Sequence, residues 1–411
     1  MNDGNPSGYR YLLMPDSFKG TMSAMEVCDI MKRAILQRGP DAQVVAVPVA
    51  DGGEGTVDCF LYAFGGERKT VTATGPYGEK KEAFYGIMGD TAVVEMAAAA
   101  GFSTEDSGKR NPSSATTFGV GELIRAAVEG GARKIILGLG GSCTNDGGAG
   151  MAAALGTVFY DESGQPFVPT GGTLKQVKRI DIRETKKLLS NISIEVMCDI
   201  DNPLYGPQGA AYVFAPQKGA DEKMVRMLDD NLRAFAVALE RETGQDVSKL
   251  PGGGAAGGMG AGAYALLGAK LSQGIDVILD MMKFEELARG CKAIFTGEGR
   301  FDSQSLGGKV VVGIGRRARR AGIPVIVKRG CVHEKFVERN GLGYAVDTLD
   351  EADKLVQSIT DAEYIKLYHN VKNIQKLILD GAYTRKTLQD AIIEVLENAC
   401  TPVENRYQDH I

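Results

Sequence analysis

Short apolar runs that end in glycine and acidic residues recur along the whole chain. Tyr9 to Pro15 (YRYLLMP) predicts a first strand, followed by the loop Asp16-Ser17-Phe18-Lys19-Gly20. Thr21 or Ser23 is placed to cap a helix from Met22 to Gln37. Val44 to Ala50 predicts a second strand that runs into Asp51-Gly52-Gly53-Glu54-Gly55 and then a helix ending near Phe64. After Gly65-Gly66 the texture changes. Thr70 to Thr74, Glu82 to Met88 and Thr91 to Met96 read as shorter strands joined by turns, which marks entry into another domain. Thr116 to Glu129 has the pattern of an amphipathic helix.

Lys134 to Leu137 predicts another strand, then the loop GLGGSCTNDGGAG and a run of small helix formers, AGMAAAL. A strand, a glycine-rich loop and a helix start together offer backbone N–H groups to an anion, although a plain turn accounts for one such loop equally well. Ile194 to Ile200 predicts a strand closing on Asp199-Ile200-Asp201-Asn202. The GPQG and APQKG segments read as turns, and Asp221 caps a long helix to Arg241. Pro251 to Gly262 reads as a second glycine-rich loop before a helix from Ala263 to Leu267. Ala293 to Thr296 is a strand ending in Gly297-Glu298-Gly299-Arg300-Phe301-Asp302, followed by a helix from Lys309 to Ala321 and a strand from Val325 to Lys328. Glu334 to Asn398 reads as mostly helix, with one strand near Tyr344 to Val346. Strands alternating with helices predict an α/β protein.

Composition narrows the function classes. The 411 residues suit two or three domains, and the 54 glycines are about twice the usual share. A net charge of −5 gives no support to nucleic-acid or anionic-membrane binding. None of the 7 cysteines forms CxxC, which removes the usual zinc and thioredoxin signatures and suits a reducing, cytoplasmic setting. No run approaches the roughly 18 apolar residues of a membrane span, and the first ten residues lack signal-peptide features. With only 3 histidines, a Ser-His-Asp mechanism is disfavoured.

There is no Walker A sequence, and Cys143 occupies the last glycine position of a would-be GxGxxG. Gly258 to Ala263 fits GxGxx(G/A) but no strand precedes it, so this stretch is open between tight backbone packing and a loop close to a phosphate, with Gly257 and Gly258 as candidate phosphate contacts. Asp16, Asp51, Glu54, Asp146, Asp199, Asp201, Glu298 and Asp302 all follow apolar strands. Any one alone reads as a turn residue or cap. Parallel strands would gather them at one edge, where they repel unless a cation, a base or shared protons intervene. Mg²⁺ prefers such carboxylates together with phosphate oxygens, and Lys19 and Arg300 could neutralise a transferring phosphoryl group. Asp199-x-Asp201 also matches the short DxD pattern of some nucleotide-sugar transferases, a weak signal.

Six long segments carry a resemblance: PDSFKGTMSA (15–24), PVADGGEGT (48–56), GLGGSCTNDGGAGM (138–151), CDIDNPLYGPQGAAYVFAPQKGA (198–220), GAAGGMGAG (254–262) and TGEGRFDSQSLGGK (296–309). In this order they resemble the bacterial type I glycerate kinases, over about residues 9 to 327. The resemblance implies ATP-dependent, Mg²⁺-assisted phosphorylation of D-glycerate. It also implies a Rossmann-like domain built from residues 1–66 and 290–411, with a flavodoxin-like domain, 67–289, inserted in it and the site in the cleft between. A homodimer is left open, as is the choice of 2- or 3-phosphoglycerate as product.

Carried over by motif, Asp16, Ser17, Lys19, Asp51, Gly52, Gly53, Glu54, Glu298 and Arg300 belong to one wall. Gly140, Gly141, Ser142, Thr144, Asn145, Asp146, Asp199, Asp201, Asn202, Gly257 and Gly258 belong to the other. Lys19 is assigned to the transferring phosphoryl, Asp199 as general base, Arg300 to the glycerate carboxylate, and Asp201 and Glu298 as metal ligands. After about Val327 the chain departs from the motif pattern and resembles the C-terminal end of a glycosyltransferase. A glycerate- or nucleotide-binding protein with weak or no kinase activity is therefore the competing expectation.

Overall fold

The computed structural model describes residues 9–17, 22–50, 52–102, 110–297, 310–321, 325–328 and 343–346. The chain divides into two compact units, Met1–Gly315 and Arg316–Ile411. It is a mixed α/β protein. Strand β1 (Arg10–Pro15) pairs in parallel with β2 (Gln43–Ala46). The next strands are β3 (Glu67–Thr74), β4 (Lys80–Met88), β5 (Thr91–Glu95) and β6 (Lys134–Gly138). A small antiparallel sheet comprises β7 (Val158–Tyr160), β8 (Pro166–Phe167) and β9 (Arg179–Asp181). Then come β10 (Ser193–Met197), β11 (Lys270–Ser272) and β12 (Cys291–Gly297), and β12 returns to pair in parallel with β1.

The larger sheet of the first unit runs β11-β10-β6-β5-β4-β3. Its first four strands are mutually parallel, β4 is antiparallel to β5, and β3 is antiparallel to β4. Ile135, Ile136 and Leu137 of β6 are all fully buried, as are Val93 and Val94 of β5. Consecutive buried apolar residues are what a strand covered on both faces requires. In the second unit, β13 (Val325–Lys328) pairs in parallel with β14 (Gly343–Val346), near the strand expected at Tyr344 to Val346. The rest of the expected helical stretch from Glu334 to Asn398 lies outside the described residues.

Local signals explain several boundaries. Ser23 caps the helix Ala24–Arg38 in a capping box with Glu26. Asp221 caps Glu222–Thr243 by accepting the Met224 N–H at 2.8 Å. The second strand is shorter than Val44 to Ala50. Its line of contact with β1 nevertheless continues, because Val47 and Val49 donate to Leu13 and Pro15 at 2.8 and 3.0 Å. Pro48, between them, has no N–H to give.

Two differences from the sequence expectation stand out. The small β7-β8-β9 sheet had no counterpart in it, because strands of two or three residues leave no readable alternation. The glycine-rich stretch after Pro251 is helical from Ala255 to Leu267, with Ala256, Gly257 and Gly258 in left-handed backbone before regular turns from Met259. Gly260 and Gly262 lie inside that helix for close approach. A Cβ on them would stand 2.3 Å from the Gly252 carbonyl oxygen and 2.1 Å from that of Gly147.

Candidate active site

Parallel strands deliver their carboxyl ends to one rim, where α/β folds hold ligands. β1 leads to Asp16 and Ser17, β5 ends on Glu95, β6 on the loop from Leu139, and β10 on Cys198 and Asp199. Ser17, Gly53, Glu54, Glu95, Gly140, Gly141, Ser142, Asp199 and Lys218 line one cleft of about 1280 Å³. Ser23 and Glu26, at the start of the helix Ala24–Arg38, also reach it.

Backbone packing sets how close the two sides come. The Gly140 N–H donates to the Gly52 carbonyl at 3.0 Å. A Cβ on Gly138 would lie 2.3 Å from the Gly52 oxygen, and one on Gly140 would lie 2.5 Å from the Gly53 Cα. No side chain fits between these loops, which is why glycine occurs on both. Gly52 also has φ +83°, a region that favours glycine. Glu95 makes a second link. Its carboxylate accepts the Val57 N–H at 2.6 Å and a further bond from the Gly55 backbone, both at the start of the helix Thr56–Phe64. Glu95 is 2% exposed, and burial pushes its carboxyl up to about 7 against the pull of those N–H donors.

The glycine-rich loop after β6 is built differently. Asp146 is fully buried and accepts from Thr117 N and Oγ1 at 2.8 and 2.9 Å, Gly148 N at 3.1 Å and Gly150 N at 3.2 Å. Burial raises its carboxyl above the usual range while these donors oppose the rise. Thr144 and Asn145 are buried too; among the described residues Thr144 Oγ1 and both side-chain polar atoms of Asn145 have no hydrogen-bond partner. Gly257 and Gly258 pack beneath this loop. The Gly257 carbonyl accepts the Gly147 N–H at 3.0 Å, and a Cβ on Gly257 would meet the Thr144 oxygen at 2.1 Å.

Asp199 Oδ1 accepts the Gly274 N–H at 2.7 Å, at the first residue of the helix Gly274–Met281. Its near neighbours in sequence sit elsewhere. Asp201 is exposed and Asn202 donates to the Gln208 carbonyl at 2.8 Å; neither is among the residues lining the cleft. Asp16 Oδ1 accepts the Ser17 N–H at 2.6 Å. Lys19, Asp51, Glu298 and Arg300 lie outside the described residues. Among the described residues no three His, Cys, Asp or Glu side chains converge as a metal-binding group, and no helix is long and apolar enough to cross a membrane.

Glu95 and Lys218 were absent from the sequence-derived site. Glu95 follows the apolar run Thr91 to Val94, the same acid-after-strand pattern that singled out Asp16 and Asp199. Lys218 is the only charged residue between Asp201 and Asp221, a quieter signal. It is 2% exposed, with Nζ 2.7 Å from Ser142 Oγ and 2.7 Å from the Thr144 carbonyl oxygen.

A family model described as the glycerate kinase family matches residues 11–379. A glycerate kinase from Bacillus cereus is 45% identical over 358 residues, 85% of this chain and 94% of that protein. A glycerate 2-kinase from Escherichia coli K12 is 44% identical over 353 residues, 84% of this chain and 93% of that protein. The crystal structure of a glycerate kinase 2 from Salmonella typhimurium LT2 superposes with a TM-score of 0.74 at 39% identity, over 90% of this chain and 99% of the other. The match through residue 379 extends past the Val327 point at which the motif resemblance stopped.

Proposed function

The chain belongs to the glycerate kinase family, and from that premise we propose that it transfers a phosphoryl group from ATP to a hydroxyl of D-glycerate in the cleft described above. The observation that carries this is one cleft with glycine-rich loops and carboxylates on both sides, Gly53-Glu54 facing Gly140-Gly141-Ser142 and Asp199. Phosphoryl transfer needs positioned donors and charge neutralisation more than covalent chemistry. Backbone N–H groups and Ser142 supply donors. Asp199, fixed by the Gly274 N–H, is the base for the accepting hydroxyl. Lys19 takes the transferring phosphoryl and Arg300 the glycerate carboxylate.

Mg²⁺ suits the donor set, because the cleft offers carboxylates and hydroxyls, hard oxygens of the kind this ion takes alongside phosphate and water. We assign Glu298 to hold it, whereas Asp201, exposed and off the cleft lining, is not kept in that role; when bound the ion would neutralise charge on the phosphate oxygens. Excluding water from the cleft leaves glycerate as the acceptor. The 2-hydroxyl is the favoured acceptor, since a 44% identical relative is named for that position. The protein is expected to act in the cytoplasm.

The test is ADP release from ATP and Mg²⁺ with and without D-glycerate, with NMR of the product. Glycerate-dependent ADP and a 2-phosphoglycerate spectrum are expected. A 3-phosphoglycerate spectrum moves the acceptor assignment. Glycerate-induced thermal stabilisation without ADP replaces the kinase reading with that of a binding protein.

A further inference from the structure

Lys218 is the least expected side chain of the cleft. It closes the short 3₁₀ helix Pro216–Lys218, and Gly219 after it has φ +97°, tight against the Arg110 carbonyl. The turn therefore leaves the lysine little freedom. Its ammonium is buried, yet both bonds it makes go to neutral oxygens, Ser142 Oγ and the Thr144 carbonyl. Among the described residues no carboxylate bonds to it, and the charge of Asp146 acts on it only through space, less strongly than burial. The nearest acid in the loop, Asp146, is already saturated by Thr117, Gly148 and Gly150. A buried charge without an opposite charge is costly to keep. Burial accordingly lowers the ammonium from its ordinary value to about 8.

The bond to Ser142 has a further consequence. An ammonium only donates, so Ser142 Oγ must accept. The serine's own proton is then committed to some other acceptor, and among the described residues none takes it. Ser142 and Lys218 both line the cleft, beside Gly140 and Gly141. Two of the three ammonium hydrogens are accounted for, which leaves one.

We propose that Lys218 and Ser142 form an oxyanion-binding pair: the ammonium supplies the charge and fixes the Ser142 hydroxyl as a donor to a carboxylate or phosphate oxygen of the substrate. This rests on the kinase reading for the name of the substrate. It does not rest on that reading for the existence of the anion site. A charged donor is the stronger half of such a pair.

Wild type, Ser142→Ala and Lys218→Met are compared by ADP release with each substrate varied, and by melting temperature with D-glycerate, ATP or inorganic phosphate. Each variant is expected to raise KM for one substrate about 10- to 100-fold and to lose the melting shift of that ligand. A rise for D-glycerate alone identifies a carboxylate, and a rise for ATP with loss of the phosphate shift identifies a phosphate. Both KM values within about twofold of wild type in Ser142→Ala overturn the pair, whatever kcat does. Ser142→Ala also carries the test alone where Lys218→Met gives no cooperative melt, since it removes one hydroxyl and no buried charge. Should wild type make no glycerate-dependent ADP, the kinase reading falls and the pair is judged by phosphate. A phosphate shift lost in Ser142→Ala upholds it, and a shift retained there, or absent from wild type, overturns it.

Discussion

Glu54 and Asp146 look alike in sequence. Each is an acid beside paired glycines, shortly after an apolar run. In the structure they are opposites. Glu54 is exposed on the rim of the cleft, whereas Asp146 is sealed behind it with donors on both oxygens. One loop keeps its acid for whatever enters the cleft. The other uses its acid to hold Thr117, Gly148 and Gly150 together, so that Gly140 to Ser142 keep their shape. A glycine-acid loop is thus two different devices, distinguished by burial and by nothing in the local residue pattern.

The contrast is easiest to break at its buried end. Asp146→Ala strands three backbone N–H groups and is expected to cost about 3–5 kcal/mol, read by chemical denaturation. Glu54→Gln in the same assay should stay within about 0.5 kcal/mol of wild type while changing turnover. Equal losses at the two sites would erase the distinction.

Glu95 sits between these extremes, buried yet on the cleft, and its titration sharpens the comparison. Its carboxyl is raised from the ordinary 4.5 to about 7 in the folded protein, so folding favours the protonated form. That contribution is complete below the unfolded value and is lost as pH climbs through the folded one. Glu95→Gln keeps a neutral group there. The stability of wild type relative to Glu95→Gln should therefore fall between about pH 4.5 and 7, by roughly 3 kcal/mol at most. A pH-independent difference would show that the N–H groups of Val57 and Gly55 cancel the effect of burial, and a rise with pH that they outweigh it.

A smaller loss of stability than at Asp146 is expected at the contact between the loops. Gly140→Ala places a methyl group 2.5 Å from the Gly53 Cα, where only backbone movement relieves it. The expected cost is about 1–3 kcal/mol, with a fall in kcat/KM of about 100-fold if the cleft opens by an ångström. Wild-type kinetics in this variant would mean that the separation of the loops is not what positions substrate.

The chain's elements were legible where one signal decides them. The apolar runs at Tyr9 to Pro15 and Lys134 to Leu137 yielded β1 and β6, and Asp221 marked a helix start. The site was legible only as a set of loops. Ser17, Gly53, Glu54, Gly140, Gly141, Ser142 and Asp199 do share a cleft, while Asp146, Gly257 and Gly258 support it from below. That division depends on which atoms face each other across long sequence separations, as between Gly53 and Asp199, and residue type does not encode it. For Gly260 and Gly262 the tight-packing alternative holds, within a helix where the sequence suggested a loop. Glycine signals freedom to a reader of sequence, and here it allows two backbones to touch. Lys218 escaped notice because a surface lysine and a buried one are spelled alike.

Residue 10 lies beside residue 291 in the pairing of β1 with β12. A chain is made from its amino end. All six strands of the larger sheet lie between residues 67 and 272 and so leave the ribosome before β12 does. β1, synthesised first, has its second neighbour only when β12 has been made. Leu12, Leu13 and Met14, fully buried in the finished protein, must wait for a neighbour some 280 residues downstream. β2 is made soon after β1 and can pair with it early, but the other edge of β1 has no partner until β12 emerges, and those three apolar residues are the ones a chaperone would meet until then.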